Sequence, residues 1–576
     1  MDTTKINEAL VIATQGQHAE GKRRLRKILK QEPNNAAALY GTGAILYLEH
    51  EYGQAIEYLE RSLCVEPRNI DSLSIAAICY LKGPKDLARA LEYAERALKL
   101  APTHINSLLA AGDIHTALRN VDEARKAYLE VLRQDPDQYA ANINLGVLLG
   151  TMGRRIEATA YFKHAYEKYP DDPITIGNYI SGLNILNLVD ELSEILPKVL
   201  NGRFGIVAFT MLSIARYLCV WPPTGRLLQE MRALLHDSRA EIAYSTFMQA
   251  NMPALSIPEI DNAELFLMHR RAGDIAAAMR TTPPIAEHAA AWSNTRKWRI
   301  GYLSADFRSH SVSTFLRTLV NDHDRDHFEV YCYSNTMFPD DRTEEYKRVA
   351  DSYVDVTNLS DLELAARVHA DGVHILVDLS GYTLDSRLAA LAYRPAPVQM
   401  CYLGYPYTSG MAEVDFLVSD PYLEVPENAG LFTEKHLCLP ECFLSFGRMD
   451  VQPITDEIPC QRNGHITFGS LSNIYKITPD VIGAWAAILD EVPDSRIIIN
   501  HPKLRAALSR QSILDEFAKH AVNPDRVTLI WEPHPENSHF HYYNDIDIVL
   551  DTFPLTGGTT TAAAIWMGVP VIPLVG

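Results

Sequence analysis

Five prolines, Pro33, Pro67, Pro102, Pro136 and Pro170, fall 34, 35, 34 and 34 residues apart. A fixed period of that length means one supersecondary unit copied along the chain, each copy able to cover its apolar face only against the next. Twelve residues before each proline stands a small residue: Gly21, Ala55, Ala90, Ala124 and Ala158. Twenty-four before it stands another in four of the five copies, Ala9, Gly43, Gly112 and Gly146, and the copy with the additional residue shifts its own to Ala77. Small side chains at two fixed places are what two helices need in order to approach closely.

Each copy reads as a helix pair, for example LYGTGAILYLEHE followed by YGQAIEYLERSLCVEP, and the period is that of tetratricopeptide repeats. Residues 1–170 are therefore expected to stack into an α superhelix with a concave groove that docks a protein. The punctuation stops after Pro170, but NYISGLNILNLVDELSEILPKVL and AFTMLSIARYLCV keep a helical period, so residues 171–290 read as degenerate helical repeats forming a bridge.

The chain has 576 residues, 47% of them hydrophobic and 22% charged, which is enough apolar surface for several cores. Lys and Arg total 53 against 72 Asp and Glu, a formal charge of -19 that opposes non-specific attraction to nucleic acid or anionic membranes. No run of 18 apolar residues and no leader-like start is present, so a cytoplasmic protein is expected. Eight scattered cysteines fit reduced thiols, and the close pair Cys438 and Cys442 reads as buried rather than metal-binding.

From Trp298 onward, short β-rich runs alternate with helical segments. WRIGYLS, FEVYCYS, SYVDVTN, VHILVDLS and PVQMCYLGY form one block, and HITFGS, SRIIIN, RVTLIW, DIVLD and PVIPLV form a second. Apolar runs of this length read as buried parallel strands, giving two Rossmann-like doubly wound lobes at 297–445 and 464–576. The Pro-, Gly- and charge-rich stretch 421–464 reads as the hinge between them. Ligands of such sheets sit beyond the carboxyl ends of the strands.

Three strand-end loops carry chemistry. Gly557 and Gly558 let backbone approach a ligand, and Thr559, Thr560 and Thr561 add hydroxyls at a helix N-terminus, a cradle for phosphate or, equally, an N-capped turn. Asn473 to Lys476 follows HITFGS, where the ammonium can neutralise a diphosphate. Asp306 to Ser311 follows the first strand of the other lobe, with His310 as a possible base or orienting group. Asp545-Ile546-Asp547 has the form of a metal-binding DxD, but it flanks a predicted strand and reads as structural.

With these residues in place the chain resembles the O-GlcNAc transferase family, tetratricopeptide-bearing enzymes that modify Ser and Thr of proteins, including the plant O-fucosyltransferase relatives. The resemblance rests on five segments in family order: GYLSADFRSHSVSTFL, DGVHILVDLSGYTLDSR, RPAPVQMCYLGYPYTSG, TFGSLSNIYKITPDVIGAWAAILDEVPDSR and DIVLDTFPLTGGTTTAAAIWMGVPVI. It implies an inverting GT-B enzyme that needs neither metal nor resident cofactor. N-acetylglucosamine from UDP-GlcNAc is the expected sugar, with GDP-fucose, or an inactive tetratricopeptide scaffold, as alternatives. By resemblance Lys476 meets the donor diphosphate, Asn473 is a nearby polar contact, and Thr559 and Thr560 bind phosphate. His539 packs on the base, His310 is the active-site histidine, and Thr383 with Gly404, Tyr405 and Pro406 lines the cleft.

The sequence also departs from the family. Ala562, Ala563 and Ala564 stand where a ribose-binding carboxylate is usual, and Glu536 stands where a lysine is usual. The asparagine ladder of the repeat groove is reduced to Asn7 and Asn144, with Gly41, Ala76 and Ala110 between. The sequence given ends at Gly576, just after a predicted strand, so the second lobe is expected to be truncated.

Overall fold

The computed structural model describes residues 3–200, 204–221, 224–237, 242–288, 297–423, 428, 430–447, 454–532 and 539–573. The chain divides into two compact units, Met1–Leu186 and Asn187–Gly576.

In the first unit eleven helices are described, from Thr3–Thr14 to Pro173–Ile185. The prolines end them by a simple steric route. A residue before proline is pushed out of the helical region, and Glu32, Glu66, Ala101, Asp135 and Tyr169 accordingly have φ between -124° and -142°. Two residues past the proline the next helix is capped. Asn35, Asn69, Gln138 and Asp172 accept from the backbone N–H three residues on, at 3.0, 2.8, 2.7 and 2.8 Å. The small residues are notches for rings: a Cβ on Gly112 would lie 2.5 Å from Tyr128, and one on Gly146 would collide with Phe162.

The second unit opens with the helices Val189–Val199, Ala208–Tyr217, Thr224–His236, Tyr244–Ala254 and Asn262–Ala278, the bridge. Two parallel sheets follow. The first contains β1 Trp298–Ser304, β2 Phe328–Ser334, β3 Ser352–Asp355, β4 Ile375–Asp378, β5 Val398–Cys401, β6 Phe416–Ser419 and β7 Lys435–Cys438, in the order β3-β2-β1-β4-β5-β6-β7. The second contains β8 Thr467–Ser470, β9 Arg496–Asn500, β10 Val527–Ile530, β11 Ile548–Leu550 and β12 Val571–Ile572, in the order β10-β9-β8-β11-β12. All registers are parallel. The core of the second sheet, including Trp485, Ile497 and Phe517, also takes in Cys219 and Trp221 from the bridge.

Two expectations are corrected here. The stretch read as a hinge from 421 contains β7, an edge strand of the first sheet whose largely exposed sequence KHLC has no apolar run to reveal it. Cys438, at the end of that strand, and Cys442, beyond it, are exposed rather than buried. Among the described residues no helix is long and apolar enough to cross a membrane.

Candidate active site

In each sheet the chain lays down three strands in one direction and then returns to the other side of the first. The order therefore reverses between β1 and β4, and between β8 and β11. Loops leaving neighbouring strands at a reversal diverge to opposite faces and leave a crevice at the carboxyl ends. The candidate residues lie on these loops: His310 follows β1, Thr383 follows β4, Lys476 follows β8, and Gly557 to Thr561 follow β11.

The β8 and β11 loops meet. The Lys476 ammonium donates to the Thr556 carbonyl at 2.7 Å, immediately before the two glycines. Burial pushes this lysine down to about 8, while the nearby Asp551 carboxylate favours its charged form. No carboxylate forms an ion pair with it among the described residues. The ammonium thus stands near the N-terminus of the helix Thr559–Trp566, where the first N–H groups of a helix lack intrahelical partners and favour negative charge.

Asp551, which the sequence reading missed, organises the second loop. Its buried carboxylate accepts from the backbone of Gly557 at 2.8 Å and Thr552 at 2.7 Å, and from the Thr561 hydroxyl at 2.9 Å. Thr561 thus spends its only proton inside the protein, whereas no side-chain bond ties Thr559 or Thr560 among the described residues. A Cβ on Gly557 would collide with the Thr561 hydroxyl, which is why the turn needs glycine there. The Thr560 carbonyl is fixed by the Tyr543 hydroxyl at 2.9 Å. A carboxylate directly after a strand and six residues before the glycine pair is only a weak local signal.

The bridge grips the lysine turn from behind. Arg216 donates to the Tyr475 carbonyl at 3.0 Å, Trp221 Nε1 to the Ile477 carbonyl at 3.3 Å, and Tyr217 packs edge-on against Tyr475 with centroids 5.1 Å apart. The bridge holds the first lobe as well. His269 is hydrogen-bonded to the Tyr405 hydroxyl at 2.6 Å, and the Arg280 guanidinium pairs with Glu413.

His310 caps the helix Ser311–Asn321, its Nδ1 3.3 Å from both the Val312 N–H and Asp306 Oδ2. Burial raises the Asp306 carboxyl and lowers the His310 imidazole, so both shifts favour the uncharged forms of the pair. That helix packs against Thr559–Trp566, with the Phe446 ring 5.6 Å from Phe315 and 5.7 Å from Trp566. The histidine loop and the threonine loop are thereby brought onto adjoining helices of the two lobes.

The β4 and β5 loops also meet, since a Cβ on Gly404 would strike the Leu379 carbonyl, and one on Gly381, at φ +54°, would strike Tyr405. Tyr405 itself is buried with its hydroxyl on His269, and Thr383 donates to the Ser380 carbonyl at 2.8 Å, while Pro406 is exposed. The Tyr405 hydroxyl therefore points to the bridge, where it bonds His269. Asn473 is exposed, and its carbonyl accepts from the Lys476 N–H at 2.9 Å. The His539 side chain and Glu536 lie outside the described residues. In the DxD stretch, Asp547 accepts from the Cys460 and Thr467 backbones at 2.8 Å each, and Asp545 pairs with Arg462 at 2.7 Å.

Paired parallel sheets of this order, in a chain that begins with a tetratricopeptide stack, make the protein a member of the GT-B class. It belongs to glycosyl transferase family 41, whose sequence pattern matches residues 277–451 and 459–576, a little over half of the chain. A tetratricopeptide repeat pattern matches 7–72 and 109–173. The chain is similar to a probable UDP-N-acetylglucosamine–peptide N-acetylglucosaminyltransferase SPINDLY of Oryza sativa subsp. japonica, 35% identical over 48% of this chain and 30% of the relative. It is 26% identical to the corresponding SEC protein of Arabidopsis thaliana over 63% of this chain and 38% of that one. The chain thus spans only about a third of the length of these curated relatives. Among solved structures, a Thermobaculum terrenum O-GlcNAc transferase mutant aligns over 87% of this chain and 82% of its own, with 26% identity and a TM-score of 0.52.

Proposed function

We propose that this protein is an inverting glycosyltransferase that moves N-acetylglucosamine from UDP-GlcNAc to Ser or Thr hydroxyls of proteins, without a metal, in the cytoplasm. The single observation that carries the reading is the Lys476 ammonium fixed on the Thr556 carbonyl, at the entrance to the Gly557–Thr559 turn. The family and the activities named for the SPINDLY and SEC relatives support the choice of donor and acceptor.

In transfer the sugar–phosphate bond breaks and negative charge grows on the departing diphosphate. Lys476, the N–H groups at the start of Thr559–Trp566 and the hydroxyls of Thr559 and Thr560 stabilise that charge. Asn473 and His539 flank the nucleotide. An acceptor hydroxyl enters from the first lobe, past Thr383 and the Gly404–Pro406 turn, and attacks the opposite face of the sugar. His310, whose Nδ1 lies 3.3 Å from Asp306 Oδ2, is in this reading the first-lobe group nearest the acceptor's path. In this reading residues 1–170 dock the protein acceptor, 171–290 are the bridge, 297–445 form the acceptor-side lobe and 464–576 form the donor lobe.

The test is donor hydrolysis and transfer to a protein acceptor by the purified chain, with UDP-GlcNAc and GDP-fucose offered separately and Lys476→Ala as control. Turnover of UDP-GlcNAc that Lys476→Ala lowers by about a hundredfold or more is expected. Turnover of GDP-fucose alone would reassign the donor, and equal traces in both proteins would leave a docking scaffold.

A further inference from the structure

Arg216 lies 4% exposed in the bridge helix Ala208–Tyr217, and no carboxylate pairs with it among the described residues. Burying a guanidinium without a counter-charge is costly, and an apolar side chain of similar size serves stability better at such a place. Its hydrogen bonds show what it does instead. One terminal nitrogen donates to the Ser256 carbonyl at 3.3 Å and to the Tyr475 carbonyl at 3.0 Å, joining two bridge segments to the residue that precedes Lys476. Trp221 donates to the carbonyl just after Lys476, and the Cys219 thiol lies 3.8 Å from the Ile474 carbonyl. Three carbonyls around the lysine, those of Ile474, Tyr475 and Ile477, are thus oriented by the bridge rather than by the lobe to which the lysine belongs.

We propose that Arg216 is a positioning residue for the donor-binding lysine: by fixing the Tyr475 carbonyl, supported by Trp221 on Ile477, it sets where the Lys476 ammonium stands against the Gly557–Thr559 turn. The inference rests on the role given to Lys476 above. The groups around the turn include Asp551 beyond β11, Tyr475 beside it, Arg216, Tyr217, Cys219 and Trp221 from the bridge, Ser256, whose hydroxyl also donates to the Tyr475 carbonyl at 3.0 Å, and Lys503 after β9, which lies over the Tyr217 ring at 4.9 Å. Only Asp551 among them favours the charged lysine directly, so a change in the turn's seating is read most plainly as a change in burial.

The experiment uses the full chain and two independent readouts. The first is the pH dependence of Lys476 acylation by acetic anhydride, followed by mass spectrometry, which reports the amine without needing activity. The second is kcat and KM for UDP-GlcNAc. In the wild type the labelling midpoint is expected near 8. Arg216→Met is expected to move it up toward that of an ordinary lysine and to lower kcat about tenfold to a hundredfold, as a displaced catalytic group does, with a smaller effect on KM. Arg216→Lys keeps one donor for the Tyr475 carbonyl and should recover part of both. Trp221→Phe should shift both in the same direction by less, and with Arg216→Lys it carries the test if Arg216→Met does not fold. Variants that lose thermal stability while the folded fraction keeps the wild-type kcat and labelling midpoint would overturn the proposal. If Lys476→Ala retains full turnover the proposed function fails, and the labelling midpoint alone then decides whether Arg216 seats the lysine.

Discussion

At the scale of single residues, the charge on Lys476 is the quantity that matters most. Burial holds its ammonium down to about 8, so in the free protein the charged form is lost as pH rises through that value. The sign for stability is the reverse of the usual lysine case. Below pH 8 the buried charge disfavours folding, and the penalty is relieved between about 8 and the ordinary 10.5. We therefore expect kcat/KM for the donor to fall tenfold per pH unit above about 8 while melting temperature shows no matching loss from this group. A plateau extending to pH 10 would remove the lysine from the mechanism. Lys476→Ala should lower turnover by about a hundredfold to a thousandfold, the usual cost of losing one donor to a developing anion. Asp551 is expected to act differently. Asp551→Ala strands two backbone N–H groups and a hydroxyl, and should cost about 2–4 kcal/mol in urea unfolding before any effect on chemistry is considered. Lysine at a strand end was legible because its type and place announce chemistry. Asp551 was not, since its role comes from three bonds that form only when the loop folds back on it.

Elements show where pattern succeeds and where it fails. The repeat period located every helix pair from proline and small-residue spacing, because the same steric need recurs in each copy. The glycines test that account. Ala at Gly112 puts a methyl 2.5 Å from the Tyr128 ring, whereas Ala at the exposed Gly150 meets nothing within 4 Å. Both sites gain about 1 kcal/mol of helix propensity over glycine, but overpacking at the first costs about 1–3 kcal/mol. Gly150→Ala should raise the unfolding midpoint of the repeats and Gly112→Ala should lower it, as followed by circular dichroism. The same direction for both would mean that the notch is not what selects glycine. Strands divide similarly. All four residues of β8 are buried, and the stretch ITFGSL that contains it is free of charge, which the eye finds. β7 lies at an edge with KHLC largely exposed, and its ladder partners at Phe416–Ser419 are too distant in sequence to mark it.

For the whole molecule, the contacts that seat the candidate site span long stretches of chain. Arg216 reaches across 259 residues to Tyr475 and His269 across 136 to Tyr405, and neither leaves a local periodicity from which to predict it. The bridge was therefore legible as helices but not as the part that grips both α/β lobes. Its packing makes Asn187–Gly576 one compact unit, separate from the eleven described repeat helices. The tryptophans make that division measurable. All six, Trp221, Trp292, Trp298, Trp485, Trp531 and Trp566, lie after residue 186, so intrinsic fluorescence reports the second unit, while helical circular dichroism reports both units. A ligand that binds only the folded state at a hundred times its Kd stabilises by about 2.7 kcal/mol. For a unit of roughly 390 residues that corresponds to a shift of about 3 °C. UDP should therefore raise the fluorescence midpoint by that amount and leave the dichroism change of the repeats in place. An unmoved fluorescence midpoint at saturating UDP removes the nucleotide site. A joint shift of both signals means instead that the two units unfold as one.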